Sequence, residues 1–148
     1  MEVKFVNYQR DYLRFAKEYD AAWYRVNLLG DLILRKDVEE FEQRLADYVG
    51  TKYAVAVSNG TDALMLAYKA VDVGSSHWSV AIPSHTFKST AGALKSAHPD
   101  ASPELYDLGE IPQNVDVGVV AHIAGEIYPL FKTNHDLIED AAQAFGAV

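Results

Sequence analysis

The stretch 58–64, Ser58-Asn59-Gly60-Thr61-Asp62-Ala63-Leu64, constrains the fold more than any other part of this chain. An apolar run at 53–57 precedes it, and a run with helical spacing at 61–71 follows it. This succession predicts a strand, a tight polar turn and a helix. Such units build α/β folds, so we expect a sheet whose strands alternate with helices.

The helix start at this turn can hold an anion. The first backbone N–H groups of a helix lack partners within it and carry partial positive charge, so they can bind a phosphate. Gly60 would let the backbone approach the ligand, Ser58 and Thr61 would add hydroxyl donors, and Asn59 would shape the turn. An ordinary turn capped by Asn59 or Thr61 explains the same residues without a ligand.

The rest of the chain repeats the alternation of strands and helices. Besides 53–57, apolar runs predict strands at 80–82, 104–106, 118–121 and 137–139. Helices are predicted at 37–49, 61–71 and 86–97. Near-continuous apolar strands that alternate with helices are typical of a parallel sheet. We therefore expect a three-layer α/β domain with a mostly parallel sheet.

The helix at 37–49 has the clearest pattern. Asp37 stands at its start with Glu40 three residues later, which predicts a capping box, and Gly50 is expected to end it. A buried stripe is predicted for Val38, Phe41, Leu45 and Tyr48.

An amphipathic helix is predicted over 8–26. Its apolar residues recur at spacings of three and four and are rich in aromatics: Tyr8, Tyr12, Phe15, Tyr19, Ala22, Trp23 and Val26. We interpret this aromatic stripe as core or as a contact between subunits, because such stripes usually pack.

Composition excludes several classes of function. The net charge of −8 argues against nucleic acid or an anionic membrane as a partner. No apolar run has the length of a membrane span, and there are no cysteines. No histidine or carboxylate spacing indicates a metal site. A cytoplasmic protein of one domain is the expectation for 148 residues of this kind.

Three motifs occur in a characteristic order: 58–64, then Pro83-Ser84-His85-Thr86-Phe87, then Ile138-Glu139-Asp140-Ala141-Ala142-Gln143-Ala144. Together they resemble the DegT/DnrJ/EryC1/StrS sugar aminotransferases, enzymes of fold-type I that use pyridoxal phosphate. The resemblance covers about residues 26–148. It implies a single domain in which an N-terminal aromatic helix (1–30) precedes a partial large domain (31–148), equivalent to the first half of the family's large domain.

The resemblance also implies roles for five residues. Asp140 would pair with the protonated pyridine nitrogen of pyridoxal phosphate, and Gln143 would approach the phenolic oxygen of the ring. Phe87 would stack on the ring, and Gly60 and Thr61 would hold the phosphate. Each residue also has an ordinary explanation: Asp140 as the cap of the following turn, Phe87 as a core side chain.

His122 follows the apolar run 118–121, near the ligand edge of a parallel sheet. Relatives often have a histidine there, but we favour a hydrogen-bonded structural histidine over a site residue.

The family's cofactor-bonding lysine lies beyond residue 148. This sequence has eight lysines, none in that motif: Lys4, Lys17, Lys36, Lys52, Lys69, Lys88, Lys95 and Lys132. We therefore expect no turnover by the isolated chain, because amino transfer needs such an amine. Connections at 107–117 and 125–136 are shorter than in the family, which indicates a naturally short or diverged gene.

The favoured hypothesis is a short aminotransferase relative that moves an amino group from an amino acid to a keto-sugar nucleotide. The alternatives are a non-catalytic homologue that serves as a binding or assembly subunit, and a relict domain without a ligand. In the family the strand equivalent to 53–57 pairs with a strand from the other half. We therefore expect a homo-oligomer, or a separate lysine-bearing polypeptide as partner.

Overall fold

The computed structural model describes residues 6–30, 32–33, 35–71, 79–110 and 112–147. The chain divides into two compact units, Met1–Ala56 and Val57–Val148. The division expected from the sequence, with a boundary near residue 30, stays a prediction. None of the described helices is long and apolar enough to cross a membrane.

The first unit contains three helices: α1 (Tyr8–Arg14), α2 (Ala16–Leu29) and α3 (Lys36–Val49). The predicted single helix at 8–26 is thus interrupted at Phe15, whose backbone leaves the helical region at φ −123° and ψ 19°. Gly50 ends α3 with a φ of 79°, a left-handed conformation that glycine adopts without strain. The predicted stop at Gly50 is therefore confirmed.

The predicted capping box of α3 is wrong. Arg35 occupies the N-cap position and its side chain makes no capping hydrogen bond. Asp37 lies inside the first turn, where it pairs with Arg25 at 2.8 Å and with Arg35 at 3.0 Å. A carboxylate held by two guanidinium groups does not turn back to the backbone. Glu40 likewise pairs with Arg44, one turn ahead.

The predicted buried stripe of α3 is also wrong, because Ala46 is the only residue of this helix that is buried. Val38, Phe41 and Tyr48 are exposed. An apolar stripe is buried only where another element covers it, and helical spacing alone does not supply that element.

The predicted strand at 53–57 is not formed. The segment pairs with none of the described strands, and Tyr53 and Val55 are 74% and 76% exposed. Its backbone is held instead by a side chain, since the Ala56 N–H donates to Glu42 Oε1 at 2.6 Å. A β-strand requires a partner edge, and none of the described strands pairs with this apolar run.

The second unit contains helices α4 (Gly60–Ala70) and α5 (Ser89–Ala97) and a four-stranded sheet. The strands are β1 (Ser79–Pro83), β2 (Ser102–Tyr106), β3 (Val117–Ala121) and β4 (Asp136–Asp140). They lie in the order β2-β1-β3-β4, and every pairing is parallel. The predicted α/β fold with a mostly parallel sheet is confirmed, as are the four strands predicted after residue 57.

Helices α4 and α5 pack together on one face of the sheet. Alternate strand residues point into this core, which contains Leu64, Tyr68, Val80, Ile82, Leu94, Val117 and Val119. The hydroxyl of Tyr68, fully buried, donates to the backbone oxygen of Thr90 at 3.0 Å and so joins α4 to α5. The tyrosine hydroxyl can be buried in this core because it has a hydrogen-bond acceptor there.

The opposite face is covered by the irregular segment 122–135. Its Phe131 packs with Ala81, Val115 and Val120. Phe131 lies directly against Gly118, where an added Cβ would approach the ring to 2.5 Å. The third layer of the fold is therefore an irregular segment that packs against Gly118.

Candidate functional site

A small pocket, with a cavity volume of about 40 Å³, lies at the carboxyl edge of the sheet. Its lining includes Thr86, Phe87, Ala121, His122, Asp140 and Gln143. Ala121 and Asp140 are register partners at the ends of β3 and β4, so the residues that follow each strand meet there. Ligands of open parallel sheets bind at this edge. Three of the five predicted site residues, Phe87, Asp140 and Gln143, are thus brought together.

Asp140 presents a half-satisfied carboxylate to this pocket. Its Oδ1 accepts the Ala142 N–H at 3.1 Å, so the expected cap of the following turn is present. Within the described part of the chain no hydrogen-bond donor lies on Oδ2, which leaves one acceptor for a ligand. Burial, and then the charge of Asp140, raise the pKa of Tyr68.

Gln143 presents a donor rather than an acceptor. Its Oε1 accepts the backbone N–H of Ala124 at 2.9 Å. Because a backbone N–H can only donate, the oxygen is occupied and the amide NH₂ group is left for a ligand. The arrangement suits a ligand oxygen that carries negative charge.

Phe87 is 64% exposed, so its interpretation as a core residue is wrong. It stands just before α5 and lines the pocket. The neighbouring Thr86 hydroxyl is held 3.0 Å from that of Thr90. Sequence reasoning missed Thr86 as a pocket residue, and its place directly before Phe87 is the signal that points to it.

None of the residues at the start of α4 lines the pocket. Asn59 Oδ1 accepts the Asp62 N–H at 2.9 Å, which caps the helix. In the residues that the structure describes, no acceptor lies on the backbone N–H of Gly60 or Thr61. A helix that leads into a parallel strand begins at the edge where the strands end, which is the edge of the pocket.

His122 is buried and hydrogen-bonded, and it also lines the pocket. Its Nε2 lies 2.9 Å from Glu139 Oε1, and its Nδ1 accepts the Tyr128 N–H at 3.0 Å. Among the described residues no lysine lines the pocket, and no cluster of side chains could hold a metal ion.

Comparison with known proteins identifies relatives over almost the whole chain. The sequence profile of the DegT/DnrJ/EryC1/StrS aminotransferase family matches residues 16–123. UDP-2-acetamido-2-deoxy-3-oxo-D-glucuronate aminotransferase from Pseudomonas aeruginosa is 34% identical over 98% of this chain and 45% of its own length. A dTDP-3-amino-3,6-dideoxy-alpha-D-galactopyranose transaminase from Aneurinibacillus thermoaerophilus is 30% identical, over 99% of this chain and 45% of its own.

The chain thus spans about 45% of the length of the curated relatives it matches. The alignment with the P. aeruginosa enzyme runs over 165 positions, more than the 148 residues of this chain, so that relative has additional residues inside the matched region. The crystal structure of DesV from S. venezuelae superposes with a TM-score of 0.81 at 27% identity, over 97% of this chain and 43% of DesV.

Proposed function

The chain belongs to the DegT/DnrJ/EryC1/StrS aminotransferase family, and we propose that residues 1–148 provide the cofactor-facing part of an aminotransferase that acts on keto-sugar nucleotides. The family depends on pyridoxal phosphate, and the relatives are nucleotide-sugar aminotransferases. One observation carries the proposal. Phe87, Asp140 and Gln143 come from separate segments of the chain and line one pocket.

The groups available at this edge suit pyridoxal phosphate. The free Oδ2 of Asp140 would accept the ring N–H and keep that nitrogen charged, and the NH₂ of Gln143 would donate to the phenolic oxygen. Phe87 would cover one face of the ring, and the N–H groups of Gly60 and Thr61 would hold the phosphate. When bound, the cofactor supplies an electron-withdrawing ring for amino transfer.

Turnover needs an amine that the pocket does not contain. None of the eight lysines lies in the family's lysine motif, and none of the described pocket residues is a lysine. We propose that this amine comes from outside residues 1–148, either from the same polypeptide or from a partner. Residues 1–148 alone would then bind the cofactor weakly and not turn over.

The proposal extends to partners and location. Keto-sugar nucleotides are the proposed ligands, a second copy of the chain is the proposed partner, and the cytoplasm is the proposed compartment. Exposure of the aromatic stripe supports the partner, since Tyr8 and Trp23 are 80% and 73% exposed. Apolar patches of this kind usually mark interfaces.

A non-catalytic binding or assembly subunit is the second candidate. The pocket without a lysine favours it, because a family pocket that has lost its chemistry can still hold a ligand or a partner.

Equilibrium dialysis against pyridoxal phosphate tests the proposal. We expect wild type to bind, and Asp140→Ala to weaken binding about tenfold, the loss expected for a hydrogen bond to a charged group. Asp136→Ala is the matched control, since Asp136 begins the same strand β4 at the opposite edge of the sheet. Equal affinities of wild type and Asp140→Ala would contradict the proposed site.

Activity assays separate the two candidates. Residues 1–148 are incubated with pyridoxal phosphate, glutamate and a panel of keto-sugar nucleotides, with and without a lysine-bearing second half from a relative. Turnover only in the presence of that second half supports the incomplete aminotransferase. Cofactor binding without turnover under either condition favours the non-catalytic subunit.

A further inference from the structure

His122 lines the pocket and makes three hydrogen bonds, although it is only 3% exposed. Its backbone N–H donates to the backbone oxygen of Asp140 at 3.0 Å, which links the end of β3 to the end of β4. Its ring Nδ1 accepts the Tyr128 N–H at 3.0 Å, and Nε2 meets Glu139 at 2.9 Å. Because a backbone N–H can only donate, Nδ1 carries no proton, and Nε2–H donates to the carboxylate.

The ring therefore closes a loop, residues 123–127, whose ends are His122 and Tyr128. Within this loop the Glu126 N–H donates to the Ile123 oxygen at 3.0 Å. Ala124 and Gly125 have φ values of 56° and 84°. A left-handed alanine is strained and persists only where its surroundings hold it. The bond from His122 to Tyr128 supplies such a constraint.

The loop in turn orients Gln143, because the Ala124 N–H donates to Gln143 Oε1 at 2.9 Å. We propose that His122 is a positioning residue that acts through Tyr128 and Ala124 to make Gln143 present its NH₂ group, not its oxygen, to the pocket. The ligand atom opposite Gln143 is then a hydrogen-bond acceptor with negative charge. Identification of that atom as the phenolic oxygen of pyridoxal phosphate rests on the proposed function.

Two substitutions separate the roles of the two ring nitrogens. In His122→Asn, the amide oxygen replaces Nδ1 as the acceptor for Tyr128, and the donor to Glu139 is lost. In His122→Gln, the longer side chain can still reach Glu139, and the acceptor for Tyr128 is lost. A purely structural requirement for a histidine would penalise both variants alike, whereas the proposal predicts rescue by asparagine.

The first measurement needs no ligand. Amide hydrogen exchange is followed at Ala124 and Tyr128, with Val119 in β3 as the internal control for folding. We expect exchange at Ala124 to rise at least tenfold in His122→Gln and to stay near wild type in His122→Asn, with Val119 unchanged. Unchanged exchange at Ala124 in His122→Gln, or an equal rise in both variants, would overturn the proposal. If His122→Gln does not fold, His122→Asn and Glu139→Gln test the proposal instead. Both are expected to keep the Ala124 amide protected from exchange, and loss of that protection in either variant would overturn the proposal.

The second measurement asks what Gln143 presents. Affinities are compared for pyridoxal phosphate and for 3-deoxypyridoxal phosphate, which lacks the phenolic oxygen. We expect His122→Gln to lose affinity about fivefold for the first compound only, and to lose nothing further in a Gln143→Ala background. Equal losses for both compounds would overturn the positioning of Gln143. If wild type binds neither compound, the proposed function fails, while hydrogen exchange still decides the role of His122.

Discussion

Asn59 and Asp62 form a closed pair of hydrogen bonds at the start of α4. Asn59 Oδ1 accepts the Asp62 N–H at 2.9 Å, and Asn59 Nδ2 donates to the Asp62 carboxylate at 3.0 Å. The hydroxyl of Ser58 donates to the same carboxylate. This end of α4 therefore already contains a negative charge, which a bound phosphate would have to tolerate.

We predict that Asp62→Asn strengthens the binding of pyridoxal phosphate about fivefold. Removal of one like charge at a solvated site is worth about 1 kcal/mol. Thr61→Val is expected to weaken binding through loss of a hydroxyl donor. Glu39→Gln, which removes a first-turn charge from α3, is the control for net charge. Isothermal titration at low salt measures all three, and unchanged affinity in both Asp62→Asn and Thr61→Val would contradict a phosphate site here.

Phe87 is predicted to contribute to ligand binding and not to the stability of the fold. Because its side chain is mostly exposed, Phe87→Ala should change the free energy of unfolding by less than about 0.5 kcal/mol. It should lower affinity for pyridoxal phosphate about two- to tenfold, the equivalent of a lost ring stack. Phe131→Ala, at a buried ring, should instead cost about 3–5 kcal/mol. Urea unfolding and dialysis separate the two effects.

Gly118 is predicted to tolerate no side chain. In Gly118→Ala the new Cβ would lie 2.5 Å from Phe131 and 2.8 Å from Leu137, so the free energy of unfolding should fall by about 1–3 kcal/mol. Gly92→Ala in α5 is the matched control. Its Cβ meets nothing within 4 Å, and alanine should raise stability by about 0.5–1 kcal/mol. Equal effects of the two substitutions in thermal unfolding would argue against the packing of Phe131 on Gly118.

Asp116 is predicted to make stability depend on acid pH. Hydrogen bonds from the Ser79 backbone N–H and from Asn134 lower its pKa from the ordinary value of 3.8. Since the folded pKa lies below the unfolded one, the stabilisation is complete above about pH 4 and is lost as pH falls through the folded pKa. Urea unfolding of wild type and Asp116→Asn should therefore differ most at neutral pH and converge as the pH falls below the ordinary pKa of 3.8. Asp100→Asn, at an exposed carboxylate, is the control, and a constant difference at every pH would contradict the mechanism.

Self-association is predicted to involve the aromatic stripe of α1 and α2. Tyr12 and Tyr19 stack with ring centroids 6.0 Å apart, and with the exposed Trp23 they line one surface depression. Sedimentation at micromolar concentration should show a species larger than the 16.4 kDa monomer. Tyr12→Asp should dissociate it, and Lys17→Asp, on the polar side of the same helix pair, should not. A monomeric wild type would rule out this interface.

Local patterns predicted the four strands of the sheet and also helix α3, of which Ala46 is the single buried residue. The strands around Ile82 and Val119 were found because their apolar runs lie in a sheet with neighbours on both sides. The run 53–57 has the same local pattern and is not a strand, because strand formation depends on a partner edge that no local pattern encodes. The capping box at Asp37 failed for a related reason, since Arg25 competes for that carboxylate from another helix.

The candidate site was likewise only partly predictable from the sequence. The resemblance to the family suggested Phe87, Asp140 and Gln143, and the three line one pocket because each lies at or after the carboxyl end of a strand. The orientation of Gln143 could not be predicted from sequence, because it depends on a loop whose two ends are joined through the ring of His122. Side-chain hydrogen bonds between residues distant in sequence are visible only once the loop path is known.

The exposed apolar segment at 53–57 has a consequence for the behaviour of concentrated solutions. A net charge of −8 makes copies of the protein repel one another at low ionic strength. The exposed side chains of Tyr53 and Val55 attract other apolar surfaces at short range. Added salt shortens the screening length from about 30 Å at 0.01 M to about 3 Å at 1 M, and so removes the repulsion without weakening the apolar attraction. The colloidal stability of this protein is therefore expected to fall as ionic strength rises, with sulfate causing precipitation sooner than chloride because it also strengthens apolar burial.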